Sequence, residues 1–196
     1  MRLFFFLIIS TLILLKCGNT ASPDHGQLQP EETLVIDSTV KDIVRPGDSI
    51  IRPENLFTVA DAAKILGEAA QLTDSSSMLK EGVATYKCAF FAKSTDEKTG
   101  KNGAVYFMLE QYDNTASAAR EYASIKKSNE NHEGVKPLQH LGDEAYFHSD
   151  GKNFYFILVR KAEKMFRMKV NKITSKTSVD SFNKVAKKIT DALLIV

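Results

Sequence analysis

LGDEAYFHSDGKNFYFILVRKAEKMFRMKVNKI, residues 141–173, decides the fold of this chain. Asp150-Gly151 sits between two apolar runs, and that dipeptide between strand-like segments is a strong hairpin signal. The segment reads as three strands: Leu141 to His148, Phe154 to Ala162 and Met165 to Ile173. In the last of them Phe166, Met168 and Val170 alternate with Arg167, Lys169 and Asn171, so one face is apolar and the other basic. Strands joined by tight hairpins run antiparallel, because a parallel pair needs a long crossover.

The same signals extend upstream. Thr85 to Lys93 puts Tyr86, Cys88 and Phe90 on one face and Lys87, Ala89 and Phe91 on the other, and Ala104 to Tyr112 lines up Val105, Phe107 and Leu109. Between these two runs, Lys98-Thr99-Gly100-Lys101-Asn102-Gly103 is hairpin-loop chemistry. A helix is predicted ahead of them, starting at Thr58-Val59-Ala60-Asp61 and ending at Leu66 before Gly67. Thr73-Asp74-Ser75-Ser76-Ser77 reads as a turn-rich loop. A second helix runs from about Thr115 to Ser128, capped by Asp113 or Asn114, with Ala116, Ala119, Tyr122, Ala123 and Ile125 as its stripe. The last helix opens on Thr177-Ser178-Val179-Asp180 and carries Phe182, Val185, Ala186, Ile189 and Leu193 at helical spacing. The order α-β-β-α-β-β-β-α predicts an α+β fold, an antiparallel sheet of about five to six strands with helices packed on one face.

The chain opens on Met1-Arg2, an apolar run from Leu3 to Leu15, and then Lys16 and Cys17. A charge, an apolar run and a short break form the plan of an export signal, so residues 1–16 read as a signal peptide. As a helix the run spans roughly 20 Å, short of the roughly 30 Å hydrocarbon core of a bilayer, which favours a processed signal over a permanent span. Leu14-Leu15-Lys16-Cys17 resembles the lipobox of bacterial lipoproteins, in which the cysteine is diacylated before cleavage. The resemblance implies lipidation at Cys17, anchoring in a membrane and an extracytoplasmic place in the bacterial cell envelope. Diacylation supplies the two chains that stable anchoring requires. Lys16 occupies the place where that pattern has Gly, Ala or Ser. Ordinary secretion, with a cut near Thr20-Ala21-Ser22 ahead of Pro23, and an uncleaved anchor are the competing readings.

Four of the five prolines lie before residue 54, and from Gly18 to Glu54 seven acids face three bases. Such a stretch buries too little apolar surface to offset its chain entropy, so residues 17–54 read as a Pro-rich acidic tether and 55–196 as a single domain. Leu34-Val35-Ile36 and Val40 to Val44 are the exceptions, able to form a short strand or lie against the domain. From Pro137 onward eleven bases face six acids, which sets a basic body on an acidic stalk. With Cys17 lipidated, Cys88 has no partner, so the fold does not depend on a disulfide.

Leu141-Gly142-Asp143-Glu144-Ala145-Tyr146-Phe147 and Phe156 to Lys161 resemble a pattern of small bacterial lipoproteins and extracellular sensor-like domains. Leu66-Gly67, Tyr86-Lys87-Cys88, Ala116 to Tyr122 and Gly142 to Tyr146 match the stations of that pattern in order. The resemblance implies the PsbP/Mog1-like α+β sandwich and no reaction.

Catalysis at Cys88 would require a histidine close in space, with His132, His140 and His148 as candidates, and no local signature accompanies them. Alternation with apolar neighbours favours Cys88 as a buried small hydrophobe. His140, His148, Asp143 and Glu144 lack the tight spacing of a zinc motif, so no metal and no cofactor is expected. Asp143 and Glu144 read as pointing to opposite faces of a strand, with Gly142-Asp143 shaping a turn or bulge. The weak ligand candidates are Arg167 and Lys169, which share a face suited to an anionic headgroup, a glycan acid or an acidic protein partner. The alternative for that face is a solvated surface whose lysines resist aggregation. Nucleic acid is not expected as a partner, since no aromatic-basic binding motif accompanies the charge. The reading is an envelope-anchored, non-enzymatic binding or accessory lipoprotein. The alternative is a secreted enzyme whose site the sequence does not announce.

Overall fold

The computed structural model describes residues 53–193. The signal segment, Cys17 and nearly all of the tether lie outside that range. A single helical turn, α1 (Pro53–Leu56), starts inside the stretch read as tether and is followed by α2 (Val59–Leu66). Three strands come next, β1 (Ala70–Lys80), β2 (Val83–Ala92) and β3 (Ala104–Gln111), then α3 (Thr115–Asn129). The chain continues through β4 (Val135–Leu138), β5 (Glu144–Ser149), β6 (Phe154–Lys161) and β7 (Lys164–Asn171) and closes with α4 (Val179–Ala192). All neighbouring strands pair antiparallel in one seven-stranded sheet of order β1-β2-β3-β7-β6-β5-β4. Two meanders, β1 to β3 and β4 to β7, are therefore fused along the β3–β7 seam.

This corrects the expected α+β arrangement of five to six strands with helices on one face. The sheet has seven strands, and the order along the chain is α-α-β-β-β-α-β-β-β-β-α. Both added strands escape a periodicity search for physical reasons. β1 contains the Thr73 to Ser77 stretch, and everything from Gln71 to Lys80 is exposed on both faces, so no apolar alternation marks it. Its main-chain pairing with β2 holds it in place. β4 is four residues, Val-Lys-Pro-Leu, too short for a pattern.

The helices also divide between the faces. On the core face α2 and α4 cover Phe90, Phe107, Phe166, Met168, Ile157 and Val159, which adjacent strands place side by side. Phe57, buried just ahead of α2, meets Phe90 edge-on at 5.4 Å and lies tilted against Phe107 at 5.3 Å. On the second face α3 seats Ala118 and Tyr122 over a smaller cluster of Tyr112, Tyr146, Leu158 and Met165. Alternation within β5, β6 and β7 delivers apolar residues to both faces at that end of the sheet, so both need a helix there.

Local chemistry fixes the helix ends. Thr58 and Asp61 form a reciprocal capping box, Asp61 N donating to Thr58 Oγ1 at 3.3 Å and Thr58 N to Asp61 Oδ2 at 3.0 Å. Gly67 ends α2 at φ 72°, and a Cβ there would run into the carbonyl of Lys176. Ser178, one residue beyond the expected Thr177, caps α4 through Ser181 N at 3.1 Å. Thr177 instead accepts from Thr174 N at 2.9 Å, closing the preceding turn.

Candidate functional site

α3 covers only the β5, β6 and β7 end of the second face. Over β1, β2 and β3 no helix among the described residues covers that face. Cross-strand register puts Ala89, Tyr106 and Lys169 in one row and Lys87, Met108 and Arg167 in the next. Tyr106 is 37% exposed and meets Phe91 edge-on at 6.1 Å. Lys87 and Lys169 are exposed, Met108 and Phe91 are half-buried, and Ala89 is buried beneath them. The result is an aromatic and thioether floor with a lysine on either side.

The two sequence candidates do share this face, and they differ in what they can offer. Arg167 is half-buried, and its Nη2 donates to Glu110 Oε2 at 2.6 Å. Its positive charge is therefore matched inside the protein. Its Nε, like the hydroxyl of Tyr146, is buried with no hydrogen-bond partner among the described residues. Burial pushes the phenol of Tyr112 up, and the charges of Glu110 and Glu121 push it further while Arg167 opposes them. Tyr146 is raised by burial against the same guanidinium. Arg167 thus anchors the edge of the α3 cluster, whereas Lys169 stands free of it with its ammonium 5.7 Å from the Phe154 ring.

Sequence alone does not single out Lys87 and Tyr106. Alternation places Lys87 opposite Cys88, but only the β2–β3–β7 pairing brings it beside Tyr106, Met108 and Lys169. The signal available in the chain was an exposed-parity aromatic in a strand otherwise patterned for burial.

Asp143 and Glu144 do not diverge as expected. Asp143 lies just before β5 begins, so strand alternation does not govern it, and both carboxylates converge on Arg160 of β6. Arg160 donates from Nε to Glu144 at 2.7 Å and from Nη1 to Asp143 at 3.1 Å, with its side chain 10% exposed. Asp143 also accepts from Lys161 Nζ at 2.8 Å and from Ala162 N at 2.8 Å. Ala162 holds φ 50° in the two-residue β6–β7 turn, so this carboxylate clamps a turn. Gly142, at φ 66°, lets the chain pass close to the Arg160 carbonyl. A carboxylate pair saturated by a guanidinium, an ammonium and a backbone N–H is a structural clasp.

Cys88 is a free thiol buried in the core cluster. Burial pushes it up to about 11, against a smaller opposing effect of the Tyr86 hydroxyl, so it is protonated and unreactive at neutral pH. His132 and His148 stack at 5.7 Å, and His148 meets Phe154 edge-on at 4.9 Å, while Cys88 points to the opposite face of the sheet. No group of three or more metal-ligating side chains is present among the described residues. No helix among them is long and apolar enough to cross a membrane. Cys17, the lipidation candidate, lies outside the described residues. Comparison with family models, curated proteins and solved structures returns no match.

Proposed function

We propose that this chain is a non-enzymatic binding lipoprotein of the bacterial envelope, anchored through lipid at Cys17 and presenting the open half of its second sheet face to an acidic protein partner. The observation that carries the binding role is the Tyr106, Phe91 and Met108 floor flanked by Lys87 and Lys169. Aromatic and Met side chains supply contact area at low ordering cost, and flanking lysines supply steering and orientation. An exposed sheet face of this kind suits a protein surface better than a small metabolite, which a concave pocket would enclose. The anchor rests on the Leu14 to Cys17 pattern, and the resemblance to small bacterial lipoproteins of the PsbP/Mog1-like type rests on the sequence stations alone.

The test is amide chemical-shift mapping of the protein titrated with poly-L-glutamate as an acidic probe. Shifts concentrated at Lys87, Phe91, Tyr106, Met108 and Lys169, lost in the Lys87→Glu/Lys169→Glu double variant, are expected. Shifts scattered over all lysines, or unchanged by the double variant, would remove the face from consideration. Because both lysines are exposed, the double variant should keep wild-type stability to within about 0.5 kcal/mol.

A further inference from the structure

The two edges of the sheet are built in opposite ways. β4 is four residues long, with exposed Lys136 and with Pro137, which has no N–H to offer a neighbouring strand. Short length, lysine and proline are the devices by which natural sheets close an edge to pairing. β1 has neither the short length nor the proline, and its one lysine, Lys80, is its last residue, 3.7 Å from Glu81. It is eleven residues long, contains no proline, and is exposed from Gln71 to Lys80 on both faces. Leu72 (52%), Met78 (52%) and Leu79 (57%) are among the most exposed large apolar side chains described. One irregularity, between Leu72 and Asp74, interrupts its pairing with β2. Among the described residues no strand lies on its outer side.

We infer that β1 is a homotypic interface, pairing antiparallel with β1 of a second copy of this chain about a twofold axis at Ser77. The charge pattern selects that register. An antiparallel pair centred on Ser77 sets Ser76 of one copy against Met78 of the other, Ser75 against Leu79, and Asp74 against Lys80. Asp74, Ser76, Met78 and Lys80 share the second face, because their β2 partners Ala89, Lys87, Thr85 and Val83 alternate there. Each Asp74 carboxylate therefore meets a Lys80 ammonium directly across the new ladder, twice by symmetry, at a separation where opposite charges attract. The two exposed methionines lie diagonally across the axis, and the small Ser75-Ser76-Ser77 centre leaves room for both strands. The two sheets become one continuous fourteen-stranded sheet, twice the seven strands of one copy. The axis lies at the β1 edge, beside Lys87 of the binding face and two strands from Tyr106.

The experiment uses the full-length protein and combines a charge swap with a register-specific cross-link. Asp74→Lys or Lys80→Asp alone should weaken self-association by about tenfold, since each creates two like-charge contacts, and the double Asp74→Lys/Lys80→Asp variant should restore it. Ser77→Cys should form an intermolecular disulfide under mild oxidation, because a directly opposed antiparallel pair brings Cα atoms to about 4.5–5.5 Å, within disulfide reach. Ser75→Cys, opposed by Leu79, should not. The wild-type chain is the control for Cys17 and the buried Cys88. Sedimentation showing a monomer at every concentration overturns the inference. So does a dimer indifferent to both charge variants, and so does protection of the β1 amides in a monomer, which would mean that another extended segment occupies the edge.

Discussion

Asp143→Ala tests whether the clasp at the β5–β6–β7 corner holds the sheet as its geometry implies. The substitution removes contacts to Arg160 at 3.1 Å, Lys161 at 2.8 Å and Ala162 N at 2.8 Å. The Lys161 contact is partly exposed and is worth under about 1 kcal/mol. The Arg160 and Ala162 contacts are charge-assisted, about 1.5–3 kcal/mol each when lost alone. Arg160 keeps Glu144 Oε2 and the Ala162 carbonyl, so the loss stays below the about 3–5 kcal/mol of an orphaned buried ion. The expected net cost is about 2–3 kcal/mol, a fall in Tm of roughly 6–9 °C for a body of this size. Burial alone would raise the Asp143 carboxyl, but Lys161, the Ala162 N–H and Arg160 outweigh it and hold it below the ordinary carboxylate range. A group depressed in the folded state contributes stability above its unfolded pKa of about 4 and loses it as pH falls. The gap between wild type and variant should therefore be full at neutral pH and narrow below about pH 4. Urea denaturation at fixed ionic strength measures it, with an unchanged m-value confirming a two-state comparison. A cost under about 0.5 kcal/mol at neutral pH, or a gap of constant size down to about pH 3, would refute the clasp.

Cys88 should resist a thiol reagent in native protein and react on unfolding, and Cys88→Ser should cost about 1–2 kcal/mol by burying a hydroxyl; fast native labelling would contradict its place in the core. Its thiol is raised to about 11, so it favours the protonated folded state and its contribution should fade as pH rises above about 8.5, visible as alkaline destabilisation that Cys88→Ala lacks. Phe57→Ala opens a hole between Phe90 and Phe107 and should cost about 3–5 kcal/mol in denaturant titrations, the range for a fully buried ring; a loss under about 1 kcal/mol would show that the segment ahead of α2 is not part of the core. Gly67→Ala sets a Cβ against the Lys176 carbonyl at positive φ and should lower stability by about 1–3 kcal/mol, whereas a neutral effect in thermal melts would mean that the α2 C-cap and the β7–α4 loop are not packed as described.

The legible parts of this fold are those where local chemistry and burial agree. The capping box at Thr58 and Asp61, the Asp150-Gly151 turn and the alternation in β2, β3, β6 and β7 each carry their own signal, and each sits where the sequence places it. β1 was illegible because a strand solvated on both faces has no period to detect. The side taken by α3 was illegible for another reason: a stripe read from Ala116, Ala119, Tyr122, Ala123 and Ile125 does not say which sheet face receives it, and of that set only Tyr122 is buried, joined by Ala118. The same holds for the site. Parity within a strand assigns Lys87, Arg167 and Lys169 to faces, while the β3–β7 seam, a pairing across many intervening residues, decides that they share one. Asp143 shows the limit of parity reasoning, since it belongs to the turn before β5 rather than to the strand.

The proposed role puts this folded, basic body on a membrane through a lipidated Cys17. Intact mass of the mature protein taken from its native membrane tests that most directly. An N-terminus at Cys17 carrying the added mass of acyl chains is the predicted result. An N-terminus near Pro23 without acyl mass, or one at Met1, would contradict it.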